Sequence, residues 1–178
     1  MPIAFTGIDV GHMSKYAYKF ADDMPKNVVK MKGDEYDRPL LLNADRATFK
    51  KSNNISKLFV IESNHSKDIL ARYMSLTWNP EVNAKQPPNF MNFPVPSGGK
   101  YLMGNFFSHF EAEHRIVDEK TGKFVWKKQS GKQNHLYDCR LYALVSRDIL
   151  VSELLKQLGV KNGGWADFVN YARKSRGE

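Results

Sequence analysis

Three neighbouring stretches decide the fold class: Ile3-Ala4-Phe5-Thr6-Gly7-Ile8-Asp9, the segment from Ser14 to Met24, and Asn27-Val28-Val29-Lys30-Met31-Lys32. The first is a short apolar run, bulky enough for a buried strand and stopped by Gly11. The second places Tyr16, Ala17 and Phe20 at helical spacing and ends at Pro25, which cannot donate a helical hydrogen bond. The third reads as another strand, closed by Gly33. Strand, helix and strand in that order predict parallel pairing and a right-handed crossover, because parallel neighbours need a connection long enough to cross the sheet.

Working outward, residues 34–57 are polar and mixed, with one short strand expected at Leu40–Leu42. Lys57 to Glu62 (KLFVIE) is a strand, and Ser66 to Leu76 an amphipathic helix. The stretch 79–96 holds Pro80, Pro87, Pro88, Pro94 and Pro96 and is expected to wander over the surface without regular structure. Gly104 to Glu113 reads as helical. His114–Val117 and Lys123–Lys127 flank Asp118-Glu119-Lys120-Thr121-Gly122, a hairpin signal with glycine at a left-handed position. Gln133 to Leu158 predicts a long helix with Leu136, Leu141, Leu144, Val145, Leu150, Leu154 and Leu155 in one apolar stripe and a break near Ser146. After Gly163-Gly164 comes a short helix through Trp165, Phe168 and Tyr171, then a basic tail at 172–178. The expected architecture is α/β, a single domain spanning 1–178 with a β-hairpin before the long C-terminal helix.

Composition removes several function classes. The chain has 178 residues and a formal net charge of +8, with 42% hydrophobic residues, enough for a real core. Its one cysteine, Cys139, excludes a disulfide framework or a Cys-rich zinc module and fits a reducing cytosol. On its helix Cys139 reads as a packed small apolar residue rather than a nucleophile. No apolar run approaches the ~20 residues of a membrane span, and the start lacks the charged-then-apolar pattern of a secretory leader. No G-x-x-x-x-G-K-[ST] loop, HExxH pair or G-x-S-x-G elbow is present. The positive balance predicts a polyanionic partner, and the lack of a span predicts no membrane one.

Three acids are set apart by position. Asp9 and Glu62 each end a hydrophobic strand, and Asp138 lies in the first turns of the long helix. Strand ends of α/β sheets face the crevice where ligands bind. Carboxylates converging there would hold a hard cation, Mg²⁺ or Mn²⁺, and two such ions activate a water and stabilise the leaving oxygen in phosphodiester hydrolysis. The same residues also suit plainer roles, as helix caps, as solvated charges or as complements to a helix dipole. Lys123, Lys127, Lys128 and Lys132 cluster on and after the second hairpin strand, and with Lys50-Lys51 and Arg173, Lys174 and Arg176 form a set of phosphate contacts or a solvated face.

The order of local motifs adds to this. Ile8-Asp9-Val10-Gly11-His12, Val28 to Gly33, Glu62 to Leu70, Phe90 to Pro94 (FMNFP), Phe107 to Glu113 (FSHFEAE), Trp126-Lys127-Lys128 and Asn134 to Leu144 (NHLYDCRLYAL) follow one another. This series resembles the C-terminal nuclease part of lambda-type phage terminase large subunits, which carry in the same order D-[ST]-G-G, a lysine-glycine strand end, a T-D-T-A-K-D helix start, H-F-P, L-T-A-E and N-E-A-L-D-C-x-x-Y-A-L. The resemblance covers about residues 5–150, and its most specific part is Asp138-Cys139-Arg140 with Tyr142-Ala143-Leu144.

The resemblance implies an RNase H-like mixed sheet flanked by helices. It also implies an endonuclease that cuts concatemeric DNA with carboxylate-held divalent metals during genome packaging, in the cytoplasm of the infected bacterial host. Asp9 and Asp138 match motif acids, Lys67 the lysine of the A-K-D helix start, and Glu113 the glutamate of T-A-E. His12 replaces a glycine, Asn64 an aspartate and His135 a glutamate. Glu62 stands in for the acid lost at Asn64, and His12 and His135 either tune the site or are plain polar residues. The family's sheet also has an earlier acidic strand, behind an ATPase motor. Two alignments follow: Asp9 as the second acid of a fragment, split product or reduced relative, or Asp9, Glu62 and Asp138 as first, second and third. The implied partners are double-stranded DNA, the packaging ATPase part, the small terminase subunit and the portal. The alternative function is a non-catalytic DNA- or partner-binding fragment lacking the first acid.

Overall fold

The computed structural model describes residues 4–25, 27–34, 58–93, 105–161 and 163–177. A parallel strand covered on both faces is apolar along its whole length, and Val28, Val29, Met31, Leu58, Phe59 and Ile61 are all buried. They belong to β2 (Val28–Asp34) and β3 (Leu58–Glu62), which pair in parallel with β1 (Thr6–Asp9) in the order β1-β2-β3. The helix α1 (Ser14–Asp22) connects β1 to β2, so the predicted strand–helix–strand unit and its parallel register are present. Among the described residues this sheet is parallel throughout, not mixed as expected; antiparallel pairing is confined to a separate two-stranded sheet.

Contacts divide the chain into two compact units, Met1–Ser63 with Tyr142–Glu178, and Asn64–Leu141. In the first, Val145 and Ile149 of the long helix α3 (His135–Gln157) complete a core with Val29, Met31, Phe59 and Ile61, flanked by Phe5 and Tyr142. The helix approaches β1 closely at Gly7, where a Cβ would stand 2.0 Å from Met31 Sδ and 2.8 Å from Ser146 Oγ. The expected break near Ser146 does not occur, because the buried Ser146 hydroxyl finds a partner in Met31 Sδ at 3.4 Å rather than competing for the helix backbone. Lys30, fully buried on β2, is compensated by Asp22 of α1 at 2.5 Å and by the Tyr18 ring, 4.6 Å away. The apolar spacing of α1 is read differently from expectation: Ala21 is buried whereas Tyr16 and Phe20 face outward. The small side chain permits close packing that the rings do not. The basic C-terminal residues Arg173, Lys174 and Arg176 are the last turn of a helix, α4 (Trp165–Arg176), whose Trp165 stacks on Arg147 and donates to Asp148.

In the second unit, α2 (Ser63–Met74) starts directly after Glu62, three residues earlier than its apolar periodicity suggests. Residues 79–93, the described part of the proline-rich stretch, contain no helix or strand. In place of the helix expected over 104–113, the described residues from 105 on form a single 3₁₀ turn, Phe107–His109, among the edge-to-face and tilted rings of Phe93, Phe106, Phe107 and Phe110. The hairpin β4 (Glu113–Val117) and β5 (Phe124–Lys128) forms as predicted, with Gly122 at φ +69°. Leu40–Leu42, Lys50-Lys51 and Pro94 lie outside the described residues.

Candidate functional site

Each strand of the parallel sheet ends on an acid. Asp9 ends β1, Asp34 ends β2 and Glu62 ends β3. Glu62 lies opposite Asp34, while Asp9 lies opposite Met31, so β1 stops three residues short of its neighbours. Asp9 is exposed and its carboxylate accepts the Gly11 backbone N–H at 2.7 Å, which turns the chain towards α1 and leaves His12 exposed. Glu62 is buried. Asp34 escaped the sequence reading because Gly33 looked like the strand's stop.

Asp138, Lys67 and His135 belong to the second unit, where Lys67 and Asp138 enter one polar cluster. Lys67, on α2, places Nζ 2.5 Å from Glu113 Oε2 and 4.0 Å from Asp138 Oδ1. The Asn134 amide nitrogen donates to both carboxylates, to Glu113 Oε1 at 2.6 Å and to Asp138 Oδ2 at 2.8 Å. Two acceptor-only groups require that nitrogen, and not the amide oxygen, to face them. Asn134 precedes α3 and its carbonyl accepts the Asp138 N–H at 3.0 Å, so the helix start fixes both side chains. Glu113 is almost fully buried at 2% side-chain exposure, whereas Asp138 keeps 32%. This gradient gives the cluster a sealed side and an open side.

The Tyr137 ring supports the cluster, 5.8 Å from Lys67 Nζ and packed against Phe110 and Trp126. Its hydroxyl is buried with no hydrogen-bond partner among the described residues. Burial first, then the charges of Glu113, Asp138 and Asp68, holds the phenol well above its usual range. His135 is exposed at the start of α3, its ring 6.1 Å from that of the buried His109. His109 Nδ1 accepts the Leu136 N–H at 3.5 Å. Asn64, where the family motif has an aspartate, accepts the Trp126 backbone N–H at 2.9 Å and so helps hold the hairpin to α2. Asn134 and Tyr137 sit beside Asp138 at the helix start, but Glu113 reaches them only by tertiary contact; the one sequence signal was their place in the matching motifs. Cys139 is exposed, correcting the expectation of a packed residue: it follows Asp138 on the helix and turns off its buried face.

Among the described residues no three His, Cys, Asp or Glu side chains gather closely enough to hold a metal ion. The cluster's donors are nevertheless carboxylate oxygens, the hard ligands that Mg²⁺ and Mn²⁺ take, so its chemistry fits such an ion. Lys123, Lys127, Lys128 and Lys132 are all exposed on and just beyond the hairpin.

The family model of the terminase large subunit gpA endonuclease domain matches residues 1–157. The chain belongs to this family. It is thus a terminase-type nuclease domain, of a family that serves DNA packaging. The matched span ends at the last residue of α3 and includes every acid, lysine and amide of the cluster, leaving α4 outside it. No curated protein and no solved structure matches the chain. Among the described residues no helix is long and apolar enough to cross a membrane.

Proposed function

We propose that this terminase nuclease domain cuts concatemeric DNA by metal-dependent phosphodiester hydrolysis on an RNase H-like scaffold, in the cytoplasm of the infected host. The observation that carries the reading is the Lys67–Glu113–Asn134–Asp138 cluster, within a chain whose family is an endonuclease domain. Asp9, Glu62 and Asp138 are the proposed ligands of Mg²⁺ or Mn²⁺, two ions in all, a choice that rests on the motif match and on their places at strand and helix ends, not on a gathered cluster. Such ions, when bound, activate a water and stabilise the leaving oxygen.

The chain's own residues do the rest. Asn134 keeps two like charges side by side, and Lys67 offsets part of their repulsion. Asp138 is the member of the cluster open to an incoming phosphate. Lys67 or His135 supports the scissile phosphate or the attacking water, and the hairpin lysines Lys123, Lys127, Lys128 and Lys132 track the DNA backbone without reading sequence. The packaging ATPase part, the small terminase subunit and the portal are the proposed protein partners. An endonuclease family favours cleavage over the alternative of a purely binding fragment.

Asp138→Asn tests the reading. The variant is expected to lose Mg²⁺- or Mn²⁺-dependent nicking of plasmid while its circular dichroism and melting stay near those of the parent. Undiminished nicking would remove Asp138 from the chemistry.

A further inference from the structure

The β4–β5 hairpin is held at its root and braced at its turn. At the root, Asp68 of α2 accepts the Trp126 indole N–H at 2.8 Å and pairs with Arg115 at 2.8 Å, beside the Asn64 contact. At the turn, the Asp118 carboxylate accepts the Lys120 and Thr121 backbone N–H groups and the Thr121 hydroxyl, and the Asp118 N–H donates to the Lys123 carbonyl at 2.8 Å. Antiparallel register places Val117 directly opposite Phe124 at the far end, on the same face as Arg115 and Trp126. Trp126 is packed, yet Phe124 is 57% and Val117 49% exposed. The Arg115 guanidinium lies 4.7 Å over the Phe124 ring, leaving the other side of the ring to solvent.

The charge around this apolar tip is net positive. Of the acids in the arm, Glu113 is buried against Lys67, while Asp118, held ionised by the turn, and Glu119 stand at the tip. Against these two carboxylates stand the exposed Lys120, Lys123, Lys127 and Lys128. An apolar pair inside a cationic rim is a poor match for another protein's apolar patch and a good one for a nucleic acid, whose phosphates flank flat, apolar base faces. A two-stranded ribbon also has the width of a DNA groove.

We infer that the hairpin is a DNA-contacting arm in which Phe124, with Val117, forms an apolar wedge against a base step of duplex DNA while the lysines follow the phosphates. This rests on the proposed DNA-backbone role of those lysines and adds a contact that salt does not screen. Apolar side chains inserted between base steps are an established means of gripping and bending a duplex.

The test is anisotropy of the full chain with a short labelled duplex, in EDTA to prevent cleavage, over a salt series. Phe124→Ala is expected to bind about tenfold more weakly at every salt concentration with an unchanged salt slope, and Phe124→Tyr to bind like the parent. The pair Lys123→Ala with Lys127→Ala is expected to flatten the log–log slope by about two. If the lysine pair flattens the slope but Phe124→Ala binds within twofold of the parent, the wedge is overturned and the backbone role stands. If the lysine pair leaves the slope unchanged, the backbone role fails and the wedge with it. Because Phe124 is mostly exposed, its truncation leaves the fold intact, which a thermal melt verifies.

Discussion

Lys67→Met isolates the electrostatic logic of the cluster. Methionine keeps the apolar stem and removes the ammonium, so Glu113, at 2% side-chain exposure, loses the cation 2.5 Å from its Oε2. Breaking a buried pair by removing one partner costs about 3–5 kcal/mol, because the remaining charge is left uncompensated. Asn134 still donates to the other carboxylate oxygen at 2.6 Å, which places the expected cost near the lower end, about 3 kcal/mol. For a chain of this size that corresponds to a fall in Tm of roughly 6–12 °C. The assay is thermal melting at neutral pH of the parent, Lys67→Met and the double variant Lys67→Met with Glu113→Gln. Glutamine removes the uncompensated charge while its carbonyl still accepts from Asn134, so the double variant should regain most of the loss. A cost below about 1 kcal/mol, the value of a solvent-exposed pair, would refute the reasoning. So would a Glu113→Gln change that brings no recovery in the Lys67→Met background.

The remaining expectations concern packing and pH. Tyr137→Phe removes a buried hydroxyl that has no partner among the described residues, so melting at neutral pH should be unchanged or raised; a loss above about 1 kcal/mol would mean the hydroxyl is bonded. The same variant reports on alkaline stability. The Tyr137 phenol is raised above its ordinary value of 10.0, so the unfolded chain loses that proton first and stability falls as pH climbs past that point. Tyr137→Phe should shed this part of the alkaline loss, as melts above and below that pH would reveal. Gly7→Ala would drive a methyl into Met31 and Ser146 and should destabilise by about 1–3 kcal/mol; an unchanged denaturation midpoint would show that α3 can back away from β1.

The strand–helix–strand start was legible because its signals are local: Gly11 and Pro25 punctuate, and β2 is apolar enough to be buried on both faces. The hairpin was legible for the same reason, Asp118 and Gly122 being turn formers whatever surrounds them. The buried face of α1 was not, since periodicity favours Tyr16 and Phe20 while close packing selected Ala21. At the site, the motif order drew attention to Lys67, Glu113 and Asp138, but the bridging of two carboxylates by Asn134 depends on the helix start meeting the segment of Glu113, with Lys67 arriving from a third. Asp34 was hidden by the glycine before it, since a glycine inside a strand reads as its end.

The resident lysine has a consequence for how any ligand is received. Bringing Glu113 and Asp138 to one amide is unfavourable work against repulsion, and the chain does that work on folding, with Lys67 as internal counter-ion. On the proposed reading, a cation would meet carboxylates already set in place, and the protein would have little left to rearrange. Preorganisation of that kind lets a site act on developing charge at the moment of reaction.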